Sequence, residues 1–318
     1  MHHAEVSIIA DSISQEGKRI TTFQLRYWRG IHAEVKTHRI ISQTPEMITT
    51  LELPCALMDY SEFSRNAGSS RARPSAAIIK QVSEDPWGPL HWGKNQPGMQ
   101  ANEEMDGTDK ENAKFMWKSA AMSAASHAKT LMNLGAHKQI VNRILEPYTF
   151  IDVVVTSTSY DNFFALRIHP DADPTIQDLA QRMYDEYIKS DPVKLNVGDW
   201  HLPYITDEDV VQASGWIKDD DNRISLTLEL LRKMSAARCA RVSYALFDGS
   251  KANIEKDLEL YDKLVGSQPI HASPTEHQAT PDYKYADRWV DPEYWGNFDG
   301  WVQNRKLIKG EYIERYAP

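Results

Sequence analysis

The segment Glu62–Pro74 has the sequence Glu-Phe-Ser-Arg-Asn-Ala-Gly-Ser-Ser-Arg-Ala-Arg-Pro. Its part from Ser64 to Arg73 holds three arginines, three serines, an asparagine and a glycine. It has no apolar periodicity and is therefore a poor core element. Glycine and asparagine favour turns, and serine hydroxyls and arginine guanidinium groups donate to phosphate oxygens. The segment indicates an anion site, most simply for a nucleotide phosphate, and a solvated basic loop is the alternative.

The composition describes a soluble globular protein. The 318 residues are 41% hydrophobic and 25% charged, with a formal net charge of -9. An acidic chain is a poor candidate for bulk nucleic-acid binding, so a local basic segment suits a small anionic ligand better. The two cysteines, Cys55 and Cys239, allow one disulfide at most, which favours a reducing cytoplasm. No apolar run or signal peptide suggests a membrane, so we expect cytoplasmic localisation.

Hydrophobic periodicity predicts an alternation of strands and helices. The alternating residues Ile20–Trp28 and Tyr148–Thr158 predict strands. A polar connection is expected over Ser190–Asp221, and an ordered loop over Val82–Gln100. Helices are predicted over Ile31–Ile41, Asp109–Leu134, His137–Glu146, from Asp173-Pro174 onward, over Ile224–Tyr244 and over Ile254–Val265.

The common catalytic motifs are missing from the sequence. No histidine pair has HExxH spacing, no CxxC occurs, and neither the dinucleotide glycine fingerprint nor the Walker loop is present. Cys239 lies between Arg238 and Arg241, which would activate a nucleophile. The same residue fits a helix interior, and we favour that interpretation. What remains is a set of arginines, which suits an anionic substrate whose chemistry comes from a cofactor, namely Arg39, Arg71, Arg143 and Arg167.

Several segments resemble the flavin-dependent (ThyX-type) thymidylate synthase family. The family signature is Arg-His-Arg, two residues, then Ser-x-Asn-Glu-x-Ser-x-Arg. Thr37-His38-Arg39 resembles its start, and Ser64–Arg71 resembles its end. Arg143–Pro147 resembles the family's Arg-Ile-x-x-Pro, and Asn162–Arg167 resembles its Asn-Phe-x-x-Leu-Arg. These segments fall within residues 20–190 in the family's order.

Two further segments match out of order. Arg238–Ser243 resembles a segment near the family's N-terminus, and His271–His277 resembles the His-x-Thr-Pro-x-Glu-His that follows it there. Here both lie within residues 236–280, after the signature. A circular permutation would explain this order and would place His271 near His38 and Arg39. We expect one catalytic domain over residues 1–318, with 42–63 inserted in the signature and 281–318 as a structural tail.

The chain also departs from the family pattern. Thr37 replaces the first arginine of the signature, and Ala67 replaces its glutamate. The family's Ala-Gln-x-Glu after the Leu-Arg segment is replaced by residues 172–175, Ala-Asp-Pro-Thr. These differences bear on the substrate more than on the fold.

The resemblance implies an α+β fold in which an antiparallel or mixed sheet is flanked by long helices. It implies FAD as the cofactor, with NADPH and methylenetetrahydrofolate as co-substrates. The reaction would convert dUMP to dTMP, without an enzyme cysteine attacking the base. A homo-oligomer is expected, a tetramer in the family, with active sites shared between subunits. Neither a nucleic acid, a membrane nor a metal is an expected partner.

The resemblance also assigns site residues. Arg167 would be catalytic, because it would face the uracil and favour negative charge on the ring. The nucleotide would contact Glu34, Ser69, Ser70, Arg71, Arg143 and Arg167. FAD would contact His38, Arg39, Asn66, Asn162, His271 and Ser273.

Two alternatives stay open. A pyrimidine hydroxymethylase would use the same site and carbon donor, with water ending the reaction in place of hydride. Thr37, Ala67 and the insertion motivate this alternative. The second is a non-catalytic nucleotide- or flavin-binding protein that kept the fold.

Overall fold

The protein is built on a five-stranded sheet. The computed structural model describes residues 2–36, 63–98, 100–101, 103–218, 221–246 and 249–312. The strands are β1 (Glu5–Ser14), β2 (Arg19–Trp28), β3 (Ser64–Ala67), β4 (Phe150–Ser157) and β5 (Val193–Leu195). Their order is β3-β4-β2-β1-β5, and all neighbours are antiparallel except β1 and β5. Two-stranded ladders follow: β6 (Ala279–Pro281) with β9 (Trp301–Gln303), and β7 (Lys284–Tyr285) with β8 (Arg288–Trp289).

Helices flank this sheet, so the α+β class expected from the sequence is confirmed. No helix in the described ranges is long and apolar enough to cross a membrane. The helices are α1 (His32–Lys36), α2 (Ser75–Glu84), α3 (Gly107–Asn133), α4 (Lys138–Val141), α5 (Asp161–Arg167), α6 (Pro174–Lys189), α7 (Asp207–Trp216), α8 (Arg223–Arg241) and α9 (Ile254–Val265).

Strand β2 explains how the sheet is buried on two faces. Phe23, Leu25 and Tyr27 alternate along the strand, so they point to one face, where they join a core with α5 and α6. Thr22, one position before Phe23, points to the other face and is fully buried. The period of two that predicted this strand therefore also separates an apolar face from a polar one.

The long helix α3 packs in a way that the sequence did not indicate. The predicted apolar stripe included Phe115, Met116 and Met122, yet these side chains are 69%, 63% and 61% exposed. Its buried face consists of Ala121, Ala125 and Ala128, which pack with α2 and with the 3₁₀ segment that follows α4. Alanine permits close helix packing, so the small residues are buried and the larger ones face outward.

The expected polar connection over residues 190–221 contains regular structure. Strand β5 and helix α7 both lie there, which corrects that prediction. Helix α7 begins with a capping box between Thr206 and Asp209. The Asp209 carboxylate also accepts two bonds from buried Arg238, at 2.7 and 2.8 Å. Polar residues that suggested a loop are thus used in a helix cap and in a buried ion pair.

Candidate functional site

The basic loop forms a short 3₁₀ turn, Ser70–Ala72, directly after strand β3. Ser69 caps the turn, because its Oγ accepts from the backbone nitrogen of Arg71 at 3.3 Å. The buried Ser70 hydroxyl donates to Oε1 of Glu146 at 2.5 Å. The Asn142 amide donates to the carbonyl oxygens of Ser70 and Arg73, at 2.8 and 3.1 Å. The loop is therefore anchored to the segment that carries Arg143.

Exposed and half-buried arginines lie near this turn. The side chains of Arg71 and Arg143 are exposed, and Arg143 Nε donates to the carbonyl oxygen of Gln139 at 3.1 Å. Such side chains can turn toward a phosphate at little cost, since they hold no strong ion pair among the described residues. This arrangement suits the predicted role of both arginines and does not test it.

The sequence analysis did not select Arg26 and Arg29, whose charges act on Arg73 of the loop. The guanidinium carbons of Arg26 and Arg73 lie 4.2 and 4.8 Å from the centre of the Phe150 ring. Arg29 Nη2 lies 3.3 Å from Oε1 of Glu146. Burial lowers the pKa of Arg73, Asp152 opposes this effect, and the charges of Arg26 and Arg29 add to it. An incoming anion would relieve this mutual repulsion.

Asn66 joins the basic segment to a distant part of the chain. It lies on β3, half-buried, and its amide is 3.3 Å from Nε2 of His277 and 3.2 Å from the carbonyl oxygen of Ser273. Ser273 begins a 3₁₀ turn, Ser273–Glu276, that packs on β3. Two of the residues predicted to contact FAD, Asn66 and Ser273, are thus adjacent although 207 positions separate them in the chain.

Arg167 and Glu34 form another pair of predicted residues. Arg167 ends helix α5, and its Nε is buried without a hydrogen-bond partner in the described part of the chain. Burial raises the pKa of the Glu34 carboxyl, Asp173 adds to the rise, and the charge of Arg167 opposes it. Arg167 is therefore close enough to Glu34 to act on its charge, and it keeps a donor that a ligand can use.

The remaining predicted residues are separate from these groups or cannot be placed. His38 and Arg39 lie outside the described residues, as does almost all of the 42–63 insertion. Asn162 is exposed at the start of α5. His271 is exposed, and its backbone nitrogen donates to the carbonyl oxygen of Leu264 at 2.8 Å. The predicted proximity of His271 to His38 and Arg39 therefore stays a prediction, and so does the permutation.

His32 is a second feature that the sequence did not reveal. Its Nδ1 lies 2.8 Å from the hydroxyl of Tyr27. Burial lowers the pKa of His32 to about 4, and the charges of Lys36, Arg29 and Arg65 add to this effect. A neutral imidazole near Arg29 and Arg65 can accept or donate a hydrogen bond without adding charge. In the sequence it is the second residue of the helix predicted over Ile31–Ile41, which alone does not indicate a site.

Cys239 is confirmed as part of the interior. Its thiol is fully buried in helix α8, and burial raises its pKa. Gln278 Nε2 lies 3.6 Å from its sulfur. A thiol held in its neutral form away from solvent is a poor nucleophile.

The comparisons with known proteins give similarity of structure alone. The sequence matches no protein-family model and no curated protein. The structure is similar to a UMP/dUMP methylase, PolB, from Streptomyces cacaoi, bound with 5-Br UMP, at 16% identity and a TM-score of 0.40. That similarity covers 59% of this chain and 90% of the other. It is also similar to Thymidylate Synthase X (ThyX) from Helicobacter pylori with FAD and dUMP, at 16% identity and a TM-score of 0.32, over 53% and 67% of the two chains.

Proposed function

We propose that the protein is a flavin-dependent enzyme that transfers a one-carbon unit from methylenetetrahydrofolate to C5 of dUMP and reduces it, giving dTMP. The contact of Asn66 with Ser273 and His277 carries this proposal. Two segments that resemble separate motifs of one family meet in space although they are far apart in sequence. Such a meeting is expected if both segments serve one site.

The nucleotide phosphate would lie over the Ser70–Ala72 turn. Ser69, Arg71 and Arg143 would contact the phosphate, and the half-buried Arg26, Arg29 and Arg73 would add to the local positive potential. Ser70 would stabilise the turn through its hydrogen bond to Glu146 and would not itself donate to the phosphate. Guanidinium groups suit this role because they bind phosphate oxygens in pairs.

FAD would be held on the β3 side of this turn. The residues there fit a flavin ring, whose polar edge both donates and accepts, because Asn66 offers an amide and Ser273 a hydroxyl, and His271 would add an imidazole. Asn162 would extend this set, and His38 and Arg39 would complete it. When bound, FAD supplies the redox chemistry, with NADPH as the source of electrons.

Arg167 would act on the uracil ring. Its guanidinium would stabilise negative charge that develops on the ring and so favour attack by C5 on the one-carbon unit. Its buried Nε, which has no hydrogen-bond partner among the residues that the structure describes, is the donor that this role requires. Glu34 would set the orientation of the guanidinium, since the two charges interact.

The site would be completed by further copies of the chain. Phe115, Met116 and Met122 present an exposed apolar surface on α3, of the kind that protein interfaces cover. Residues three, four and seven apart share a helix face, so Phe115 and Met122 lie together. A homo-oligomer packed on α3, with active sites shared between subunits, would cover this surface.

One set of measurements tests the proposal. The purified protein should show a flavin absorbance spectrum that changes on addition of dUMP and bleaches with NADPH. Mass analysis of the product should show a methyl group. A hydroxymethyl group, about one oxygen heavier, would make the protein a hydroxymethylase, and the exposed Ala67, which offers no acid or base, favours that alternative. A protein that stays colourless with added FAD would contradict the proposal.

The Arg71→Ala variant adds a control at the phosphate. It should weaken dUMP binding and reduce its salt dependence, while the flavin spectrum stays the same. Lys80→Ala, an exposed cation on α2, is the matched control and should change neither. Unchanged dUMP affinity in Arg71→Ala would indicate that the loop is only a solvated basic loop.

A further inference from the structure

A continuous chain of buried polar groups crosses the sheet. It runs from Ser12 Oγ to His201 Nδ1 (2.9 Å), and from His201 Nε2 to Thr22 Oγ1 (2.8 Å). Thr22 Oγ1 is 2.7 Å from Thr156 Oγ1, which is 2.8 Å from His277 Nδ1. His277 Nε2 then lies 3.3 Å from the Asn66 amide. The sheet supplies four of these side chains, one each from β1, β2, β4 and β3. The hydrogen-bond chain therefore spans four strands.

Both histidines of this hydrogen-bond chain, His201 and His277, are neutral at physiological pH. Burial lowers the pKa of His201 to about 3, opposed by Asp11. Burial also lowers the pKa of His277 to about 3, and His201 adds to this effect. A neutral imidazole has one N–H and one acceptor nitrogen, so each histidine has two forms, which the neighbouring groups select.

Asn66 fixes which form His277 takes. Its amide group faces the carbonyl oxygens of Arg65 and Ser273, at 3.1 and 3.2 Å, as well as His277 Nε2. Carbonyl oxygens only accept hydrogen bonds, so the amide atom that faces them is the nitrogen. An amide nitrogen does not accept, so His277 Nε2 must be the acceptor. His277 therefore carries its proton on Nδ1 and donates it to Thr156.

The same reasoning fixes every later bond. The Thr156 hydroxyl accepts from His277 and has one proton left, which it donates to Thr22. Thr22 in turn donates to His201 Nε2, so His201 carries its proton on Nδ1 and donates to Ser12. Reversing a single link would place two donors or two acceptors face to face, at a cost of about 1–3 kcal/mol, so the direction set at Asn66 extends to Ser12.

We propose that this chain is a directed hydrogen-bond relay that, together with the carbonyl oxygens of Arg65 and Ser273, holds Asn66 with its amide nitrogen inward and its carbonyl oxygen toward the bound cofactor. Asn66 then selects an N–H donor at that point of the ligand. The imide N–H of the flavin ring is the donor that fits, and uracil carries the same group. His277, Thr156, Thr22 and His201 are positioning residues in this arrangement, and the choice of ligand rests on the proposed function.

Nuclear magnetic resonance of the apoprotein labelled with ¹⁵N-histidine tests the direction of the relay. Long-range proton–nitrogen spectra at pH 7 should show His201 and His277 with the proton on Nδ1, each assigned with its asparagine variant. A proton on Nε2 of either residue, or a charged ring, would overturn the relay. This result does not depend on flavin binding.

Binding measurements test the positioning role. Thr156→Val removes the acceptor of the His277 Nδ1 proton and leaves Asn66 as the one contact that holds this form, so the Nδ1 form should become less dominant and FAD binding should weaken by about tenfold, the effect of one lost buried hydrogen bond. Thr156→Ser keeps the hydroxyl and should restore both readouts. Thr21→Val, which removes a buried hydroxyl bonded to Asp11 outside the relay, is the matched control and should leave FAD affinity unchanged. Equal losses in Thr156→Val and Thr21→Val would overturn the positioning role.

Ligand analogues identify the donor. FAD methylated at the imide nitrogen should bind at least about tenfold more weakly than FAD, while dUMP methylated at N3 should leave FAD affinity unchanged. Loss of binding with the nucleotide analogue alone would assign Asn66 to uracil and overturn the flavin assignment. If the histidines show the expected forms and FAD does not bind, the proposed function fails and the relay stands.

Discussion

Ser70 Oγ donates to Oε1 of Glu146 across 2.5 Å, and the same carboxylate oxygen lies 3.3 Å from Arg29. The residue that the sequence assigned to a phosphate is therefore already engaged by a carboxylate. A hydroxyl has a single proton, so Ser70 cannot donate to Glu146 and to a phosphate at the same time. The neighbouring Ser69 keeps its own proton for a ligand, since within the described ranges its Oγ accepts from Arg71 and donates to no residue.

Ser70→Ala and Ser69→Ala should therefore differ in kind. Ser70→Ala removes a buried hydrogen bond to a charged group and should lower the free energy of unfolding by about 1–3 kcal/mol. Ser69→Ala removes only an exposed capping bond, so it should lower stability less than Ser70→Ala does and should weaken dUMP binding. Urea unfolding and dUMP titration of both variants measure the two effects. If Ser70→Ala were as stable as the parent protein and had lost dUMP binding, Ser70 would be a phosphate ligand.

Arg167→Ala should separate cofactor binding from turnover. The variant should keep its flavin spectrum and lose about 10²-fold or more in turnover, the scale for one preorganised charge. The pKa of Glu34 should rise further, because the charge that opposes the rise is removed. Steady-state rates at saturating dUMP measure the first effect, with Arg182→Ala, an arginine paired with Asp178 on α6, as the control. Near-normal turnover would remove Arg167 from the mechanism.

The buried histidines predict a loss of stability in acid. The ordinary pKa of histidine is 6.5, and both folded values are near 3. The unfolded chain takes up protons below about pH 6.5, whereas the folded chain does not do so until about pH 3. The contribution of the two histidines to the free energy of unfolding is therefore complete above pH 6.5. It is lost as the pH falls toward 3, at up to about 1.4 kcal/mol per pH unit for each histidine.

Urea unfolding between pH 7 and pH 5 measures this loss, in a range well above the lowered pKa of Asp209, about 2. His277→Asn cannot take up the proton, so its stability should fall less steeply with pH than that of the parent protein. His127→Ala, at an exposed position on α3, should keep the parent slope. Identical slopes for His277→Asn and the parent protein would mean that His277 is already charged in the folded state.

The sequence predicted the regular elements better than their packing. Periodicity gave α9 and the start of α6 at Asp173, where the cap was visible in the residues themselves. It failed for α7, because the acidic residues of its first turn cap the helix and pair with Arg238, a contact 29 positions away. It also could not show that the alanines of α3 are buried and its methionines exposed, since that choice depends on the partner helix.

In the candidate site, too, the sequence indicated some residues but not those whose role depends on how the strands pack. Motif resemblance selected Asn66 and Ser273, which the structure brings together. It did not select Thr22, Thr156 or His201, because their signal is a shared face of the sheet, which depends on strand order. Register between distant strands is set by the whole fold, and no local pattern in one strand specifies its neighbour.

The exposed apolar surface of α3 predicts self-association. Met122→Glu places a charge on the face shared with Phe115, where burial in an interface would require desolvating a carboxylate. Sedimentation velocity should show an oligomer for the parent protein and a shift toward the monomer for Met122→Glu, with turnover falling in parallel if sites are shared. Val211→Glu is the matched control, because Val211 on α7 is 73% exposed and belongs to another surface. A parent protein that sediments as a monomer at micromolar concentration, or a variant that assembles like the parent, would show that α3 is not the interface.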